Sequence, residues 1–333
     1  MSEKRLSAKI IGTGMYVPDR IVTNKELGMY IETSNEWIVE KTGIKERRIA
    51  KLGELPSDIA TKSSFLAIKN AGINVEDIDL IILAITNPDV SVPSTASIVQ
   101  KKIGAKNAFS FDIRNSCQGF VTALIVAWNL LSNGVYNNAL IVGTCNHGSL
   151  LNSVNWRDRT KAIFFGDGSG AIILKRCGLN EGILSFDSGT DYLNSEALNL
   201  AFGGFQTYIE DNAFLDKILG DPMDGKKIFD FSITEVPLSI KKALEKANLK
   251  TNDLDFVILH QANINIIRRI MENLNLPMEK TYTNIEEYGN TSEASIPIAL
   301  HEALKEGKIK SGDLVVLSGF GAGLGWATVV MKW

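Results

Sequence analysis

The strongest constraint on the fold is a pattern that the chain contains twice. Each copy combines a helix end, a short polar turn and a strand of continuous apolar residues. Three pairs of segments share matching patterns: 71–83 with 247–259, 138–143 with 313–318, and 168–174 with 323–330. The offset of about 175 residues is far longer than a solenoid unit, so the pattern predicts two copies of one domain.

The alternation of Val/Ile/Leu-rich strands with helical patterns predicts an α/β fold. Continuous apolar strands are typical of mostly parallel sheets that are covered on both faces. The pattern is interrupted at 175–178, where a Lys-Arg-Cys-Gly run occurs. We therefore expect two similar halves, 1–177 and 178–333.

The bulk composition is that of an ordinary globular protein. The 333 residues are 45% apolar and 22% charged, with a formal charge of −3, so nothing indicates the basic excess of a nucleic-acid-binding protein. No apolar stretch is long enough for a bilayer span, and no secretory segment is recognisable. Three cysteines without paired spacing indicate a reducing compartment and no disulfide framework. The expected location is the cytoplasm.

Cys117 is the first candidate functional residue. It follows a strand-like run at 108–113 and begins an apolar, helix-like segment that reaches Leu131. Converging backbone N–H groups and the positive end of a helix dipole both favour a thiolate, which is the nucleophilic form. The alternative is that Cys117 is a small buried hydrophobe, as most cysteines are.

Two downstream segments add a histidine and an asparagine. His260 ends an apolar strand, in His-Gln-Ala-Asn, and Asn290 lies in Gly-Asn-Thr-Ser. Under the repeat offset, Asn290 falls within a few residues of Cys117, and Ala84 corresponds to His260. A two-fold related pair of domains would therefore direct Cys117, His260 and Asn290 at one cleft. Such a trio is suited to thiol-based acyl transfer.

The strings themselves resemble those of a known family. Cys-x-Gly-Phe, His-Gln-Ala-Asn and Gly-Asn-Thr-Ser, in this order, are similar to the active-site motifs of the β-ketoacyl-acyl carrier protein synthase III family. The resemblance covers nearly the whole chain through further matches: Ile-Gly-Thr-Gly at 11–14, Asn-Glu-Trp-Ile-Val at 35–39, Thr-Gly-Ile at 42–44, Pro-Ser-Thr-Ala at 93–96, Phe-Gly-Asp-Gly-Ser-Gly-Ala at 165–171 and Gly-Phe-Gly-Ala-Gly at 319–323. It implies a thiolase-like fold, layered αβαβα.

The resemblance also implies a reaction. Cys117 would take an acyl group from acyl-CoA, and a malonyl thioester, on acyl carrier protein or CoA, would then lose carbon dioxide and attack that group. His260 and Asn290 would donate hydrogen bonds to the enolate oxygen. An amide can donate but cannot act as a base, which favours decarboxylative condensation. Backbone N–H groups of Cys117 and Ala322 would form the oxyanion hole.

The ligand-binding positions follow from the same resemblance. Trp37, Lys41 and Arg159 would hold CoA, although a packed aromatic and a surface ion pair are simpler interpretations of Trp37 and Arg159. The acyl pocket would be formed by four residues: Val92, Arg114, Gln118 and Phe320. Arg114 is expected to be buried beside the nucleophile, with a polar partner. The family implies a homodimer in which Val92 reaches the partner's pocket. No permanently bound cofactor and no metal site are expected, because paired Cys/His spacings are absent.

The chain departs from the family pattern at several positions. Asp230 and Asn265 replace basic residues of the carrier-docking face, where Arg268 and Arg269 could compensate, and 203–208 lacks the usual basic and proline residues.

The leading hypothesis is a decarboxylating ketosynthase, in fatty-acid initiation or a specialised polyketide pathway. The alternatives are an acyltransferase, a non-decarboxylating condensing enzyme using the same cysteine, and a non-catalytic partner subunit.

Overall fold

The fold combines strands and helices along the whole of the described chain. The computed structural model describes residues 6–149, 159–179, 181–199 and 223–333. Its strands are β1 (Leu6–Tyr16), β2 (Arg20–Thr23), β3 (Glu46–Ile49), β4 (Leu80–Ala84), β5 (Phe109–Ile113), β6 (Asn138–Cys145), β7 (Gly168–Gly178), β8 (Gly182–Thr190), β9 (Phe256–Leu259), β10 (Leu314–Gly321) and β11 (Gly325–Lys332). The segment 203–208, which lacks the family's usual basic and proline residues, lies outside the described residues.

The helices alternate with these strands. They are α1 (Asn24–Leu27), α2 (Asn35–Thr42), α3 (Pro56–Ala71), α4 (Thr95–Ile103), α5 (Gly119–Ser132), α6 (Arg159–Ala162), α7 (Gly225–Lys246), α8 (Ile264–Asn273), α9 (Ile285–Tyr288) and α10 (Ser295–Lys305). Short 3₁₀ turns at Ser116–Gln118 and Ser292–Ala294 lead directly into α5 and α10. In the described part of the chain, no helix is both long and apolar enough to cross a membrane.

The two larger sheets share one arrangement over four strands, and the first has β5 as a fifth strand; β2 and β3 form a separate two-stranded sheet. The first has the strand order β1-β7-β6-β4-β5, and the second has the order β8-β11-β10-β9. The expectation of mostly parallel sheets is wrong, because β7 and β11 each pair antiparallel with both of their neighbours. The reason is clear in the second sheet, where only 322–324 separate β10 from β11, and so short a connection can only join antiparallel strands.

Three apolar clusters show how the layers stack. The largest contains buried residues of α5 and α10 together with residues from both sheets, so these two helices lie between the sheets. A second cluster packs α3 and α4 on the outer face of the first sheet. A third packs α7 and α8 on the outer face of the second. The resulting layers are αβαβα, with the central helices α5 and α10 between the two sheets.

The repeat is visible in backbone detail. The turn before each central helix begins with a serine in the left-handed region, Ser116 and Ser292, both with φ 47°. A constant offset is wrong for the last strand pair, however, since residues 146–167 connect β6 to β7 whereas only 322–324 connect β10 to β11. The strands of the first sheet end at Gly178, and those of the second begin at Gly182. This supports our proposal of two units that divide near residue 177.

Candidate active site

The turn that carries Cys117 lies against the end of β10. Ser116 has φ 47°, a backbone conformation that costs a non-glycine residue roughly 1 kcal/mol or more and is common at functional sites. Cys117 follows in the same turn, two residues before α5 begins. A Cβ added to Gly321 would lie 2.8 Å from Cys117 Cβ and 3.1 Å from Sγ. Glycine at 321 is therefore needed for the β10 backbone to approach the thiol.

The environment of the thiol is apolar and enclosed. Cys117 is only 5% exposed, and its Sγ lies 3.2 Å from Ser292 Oγ. Burial raises the pKa of Cys117 to about 12, and the nearby Glu293 carboxylate contributes to the increase. The expectation of a thiolate stabilised by the helix start is therefore wrong for the resting chain, because loss of hydration outweighs the hydrogen bonds that favour the anion.

His260 follows β9 and is held by α10. Its Nδ1 lies 2.7 Å from Ser295 Oγ, and its ring packs edge-on against Phe320 with centroids 5.2 Å apart. Burial lowers the pKa of His260 to about 3, so the imidazole is neutral. The backbone N–H of Gln261 donates to Ser295 Oγ, which leaves the Ser295 hydroxyl proton free to donate to Nδ1. This arrangement favours the tautomer with its proton on Nε2.

Asn290 is positioned by its own turn. Its Oδ1 accepts a 2.8 Å hydrogen bond from the backbone N–H of Ser292. Its backbone N–H donates to Phe164 O, and its carbonyl accepts from the N–H of Gly166. Because Oδ1 is turned to the backbone, the NH₂ end of the amide is the end available to the neighbouring cavity.

A narrow cavity of about 100 Å³ brings the predicted residues together. Cys117, His260, Asn290 and Phe320 all line it. The remaining lining residues are Phe164, Phe165, Leu198, Met223, Gly225, Ile228, Phe229, Ala262, Asn263, Ile266 and Gly321. The structure thus places a thiol, a neutral imidazole and an amide at one apolar-walled space, which can hold the acyl end of a thioester and donate hydrogen bonds to its oxygen.

A second space, the polar cavity, lies beside Cys117 and has a volume of about 330 Å³. Its lining residues are Thr86, Arg114, Ser116, Cys117, His147, Phe165, Ser195, Glu196, Leu198, Asn199, Ser292, Ala322 and Gly323. Arg114 is exposed, so the expectation of a buried arginine is wrong; the chain turns at its position before entering the buried Cys117 segment. Ala322, the predicted oxyanion-hole residue, lies at the same cavity as Cys117.

Neither Gln118 nor Val92 lines either of these two cavities. Gln118 is 2% exposed, and its Nε2 donates to Ala322 O at 3.1 Å and to Asn115 Oδ1 at 3.3 Å. It therefore fixes the 322–324 turn against the start of α5. Val92 is 84% exposed and lines neither of the two cavities described here. Its predicted place in a partner's acyl pocket stays a prediction.

Two of the three residues predicted to hold CoA, Trp37 and Lys41, lie in α2. Trp37 is half-buried and packs against the apolar cluster that contains Ile38, Ile44 and Ile285. The backbone carbonyl of Lys41 accepts a 2.8 Å hydrogen bond from Asn263 Nδ2, while its ammonium group is exposed. Arg159 begins α6, and its side chain lies outside the described part of the structure.

Sequence reasoning did not anticipate one buried polar cluster. The ligating atoms of Cys145, His147 and Glu293 all lie within 4.8 Å of one another, and all three side chains are buried. Glu293 and Ser292 occupy the second-half turn that corresponds to Ser116–Gln118, so applying the repeat offset to Cys117 would have found them. Nothing in the sequence connects Ser295 with His260, or His147 with Glu293, because these contacts join separate elements.

The fold and the thiol at the junction of its halves define the condensing-enzyme class of acyltransferases. The family model for 3-oxoacyl-[acyl-carrier-protein] synthase III matches residues 111–192, and the model for its C-terminal part matches residues 244–333. A β-ketoacyl-[acyl-carrier-protein] synthase III of Clostridioides difficile is 46% identical over 329 residues, which are 98% of each chain.

Solved structures agree with this assignment. The 3-oxoacyl-[acyl-carrier-protein] synthase III of Aquifex aeolicus is 39% identical with a TM-score of 0.88, covering 98% of this chain and 100% of that one. The priming β-ketosynthase of the R1128 polyketide pathway is 31% identical with a TM-score of 0.90, covering 100% of this chain and 98% of that one. The chain therefore belongs to the β-ketoacyl-acyl carrier protein synthase III family and has its thiolase-like fold.

Proposed function

We propose that this enzyme transfers an acyl group from acyl-CoA to Cys117 and then condenses it with a malonyl thioester, carried on acyl carrier protein or CoA. The observation that carries the proposal is the meeting of Cys117, His260 and Asn290 at one narrow cavity. The names of the related proteins, which are synthases acting on acyl carrier protein, point to the same reaction class.

The first half-reaction needs the thiol to lose its proton. Because burial holds Cys117 as a thiol, the S–C bond forms as the donor thioester enters and its C–S bond breaks. The Cys117 proton leaves with the departing sulfur as the CoA thiol, so atoms and charge balance. Backbone N–H groups of Cys117 and Ala322 stabilise the oxyanion of the tetrahedral intermediate.

The second half-reaction places negative charge on the malonyl thioester oxygen. Loss of carbon dioxide leaves the enolate, whose carbon attacks the acyl carbon on Cys117 and returns the thiolate. His260 donates from Nε2, which the Ser295 contact leaves protonated, and Asn290 donates from its NH₂ group. Neither group carries charge in the resting site, so each acts as a hydrogen-bond donor to the enolate oxygen.

CoA enters along the α2 side in this proposal. Trp37 and Lys41 flank the adenine, and Arg159 pairs with a phosphate. The contact from Asn263 Nδ2 to Lys41 O joins α2 to the start of α8, whose residues line the narrow cavity. The carrier protein docks nearby, where Arg268 and Arg269 are exposed and Asp230 is paired with Lys226.

The proposed assembly is a homodimer. β5 is an edge strand that pairs only with β4 among the described strands, and its first residue, Phe109, is 58% exposed. Val92 is 84% exposed, as expected of a side chain that reaches across to a partner. If Val92 forms part of the partner's acyl pocket, Val92→Phe should shift donor preference toward shorter chains, with an effect of about 1–3 kcal/mol per methylene-sized change.

Two measurements test the dimer. Sedimentation should give twice the chain mass, and acylation rates with acetyl- through decanoyl-CoA should differ between wild type and Val92→Phe. A monomer, or an unchanged donor profile, would contradict the assignment.

The function itself is tested by incubating the protein with a panel of acyl-CoAs and measuring its intact mass. An acyl adduct, followed by carbon dioxide release and a β-ketoacyl product when malonyl-acyl carrier protein is added, is the expected result. Adduct without condensation would favour a simple acyltransferase. No adduct with any donor, while the protein is folded, would favour a non-catalytic subunit.

A further inference from the structure

The polar cavity beside Cys117 differs in chemistry from the narrow one. Eight of its side chains carry a hydroxyl, an amide, an imidazole or a charge: Thr86, Arg114, Ser116, His147, Ser195, Glu196, Asn199 and Ser292. A purely hydrocarbon acyl chain placed here would remove these groups from water without replacing their hydrogen bonds, which costs free energy. The lining therefore selects an occupant that carries polar atoms.

His147 is one of the buried groups in this set. It is 4% exposed, its Nδ1 lies 2.9 Å from Cys145 Sγ, and its ring packs 5.0 Å from that of Phe165. The next residue, Gly148, donates its backbone N–H to Asp167 Oδ1 at 2.7 Å, which anchors the segment. The Nε2 atom, on the ring side away from Cys145, has no hydrogen-bond partner among the residues that the structure describes.

Glu293 presents a second unpaired atom in the same cluster. Its Oε1 accepts a hydrogen bond from the Thr86 hydroxyl, and Thr86 lines the polar cavity. Its Oε2 is buried and has no partner within the described chain. Of the eight buried side-chain polar atoms without partners in the described residues, two lie in this one cluster. Because such atoms are uncommon in native proteins, the pair points to a missing ligand group.

The charges of the cluster restrict what that group can be. Burial lowers the pKa of His147, so its imidazole is neutral and does not attract an anion. The Glu293 carboxylate disfavours a second carboxylate nearby. A hydroxyl group can both donate and accept a hydrogen bond, and thus suits a neutral imidazole and a carboxylate alike.

We propose that the acyl group carried by Cys117 is a short hydroxyacyl group whose hydroxyl hydrogen-bonds with His147 Nε2 in the polar cavity. The inference rests on the proposed function, because it names the donor class for the same acyl transfer. The donor is then a hydroxyacyl-CoA. Its acyl carbon bonds to Cys117 Sγ, and CoA leaves as the thiol.

The test compares donors that differ by one oxygen atom. Acylation of Cys117 is followed by intact mass with butyryl-CoA, 2-hydroxybutyryl-CoA and 3-hydroxybutyryl-CoA. We expect kcat/KM for one hydroxylated donor to exceed that for butyryl-CoA by about tenfold, the value of one hydrogen bond. His147→Leu should abolish or reverse this ratio. His301→Leu, which changes a histidine bonded to Thr13 outside both cavities, should leave the ratio unchanged.

A second variant keeps the test valid if His147→Leu does not fold. His147→Asn keeps a hydrogen-bonding side chain and should retain part of the preference if His147→Leu does not fold. Butyryl-CoA preferred by the wild type, or an unchanged ratio in the folded His147 variants, overturns this inference alone. A stoichiometric metal ion in the purified protein would also overturn it, because the ion would satisfy the unpaired atoms. No adduct with any acyl-CoA overturns the proposed function itself.

Discussion

The turns before the two central helices share a backbone conformation but carry different side chains. Ser116 and Ser292 both have φ 47°, and each opens a three-residue turn that leads into a helix buried between the sheets. The first turn carries the thiol of Cys117. The second carries Ser292 and Glu293, with Asn290 just before it, and its Ser292 hydroxyl lies 3.2 Å from Cys117 Sγ.

This difference shows how a duplicated fold builds an asymmetric site. The pseudo-symmetry brings two strained turns face to face, but only one needs a nucleophile. The other supplies polar groups that act on the first: a hydroxyl contact that lowers the pKa of Cys117 and a carboxylate that raises it. The balance between burial and these contacts sets the reactivity of the thiol.

The largest expected effect comes from removing the nucleophile of the first turn. Cys117→Ala should abolish the acyl adduct, because Cys117 alone among the three cysteines lies at the narrow cavity with His260 and Asn290. Intact-mass measurement after incubation with acyl-CoA checks this. Cys177→Ala, at a half-exposed cysteine in β7, is the matched control and should label normally. An adduct retained in the Cys117 variant would show that Cys117 is not the nucleophile.

The next largest effect distinguishes the roles of His260 and Asn290 in the two half-reactions. His260→Ala or Asn290→Ala should reduce carbon dioxide release from the malonyl thioester by roughly a hundred- to a thousand-fold, the usual effect of losing one such donor. Some self-acylation should remain, since these donors are assigned to the enolate. Labelled carbon dioxide and adduct mass are measured in parallel, with His301→Ala as control. Equal loss of both half-reactions would show that the division of roles is wrong.

A third prediction concerns the pKa of Cys117. Its thiol has a pKa raised to about 12, so the reactive thiolate is a minor species at neutral pH and its fraction rises with pH. Alkylation by iodoacetamide should therefore accelerate about tenfold per pH unit between roughly pH 7 and 9. Peptide mass spectrometry separates Cys117 from the more exposed Cys177. A rate that levels off below about pH 8 would instead indicate a stabilised thiolate.

The smallest effect tests how the second turn acts on the first. Glu293→Gln removes a negative charge that raises the pKa of Cys117, so the thiolate fraction should rise. We expect alkylation at about pH 8 to become a few-fold faster, with the same slope against pH. Glu272→Gln, at an exposed residue paired with Arg269, is the matched control. Slower alkylation would mean that Glu293 accepts the thiol proton instead.

Much of the fold could be predicted from pattern alone. Apolar runs such as 80–84 and 256–259 became buried strands of equivalent sheets, and the offset between the halves predicted which helices would be central. Strand direction was predicted less well. A continuous run of apolar residues indicates that a strand is buried on both faces, but it does not indicate whether the neighbouring strand is parallel or antiparallel. The length of the connection decides that, as the 322–324 turn shows.

The sequence by itself determined the residue types at the site, and the tertiary structure decided their states. The motifs located Cys117, His260 and Asn290, because chemistry that needs a thiol and two donors restricts the side chains that can serve. Their ionisation depends on hydration and on neighbours from distant segments. Burial leaves Cys117 protonated and His260 neutral, and Ser295 orients the imidazole from α10. No local pattern records these effects, because each arises from contacts between chain segments that only folding brings together.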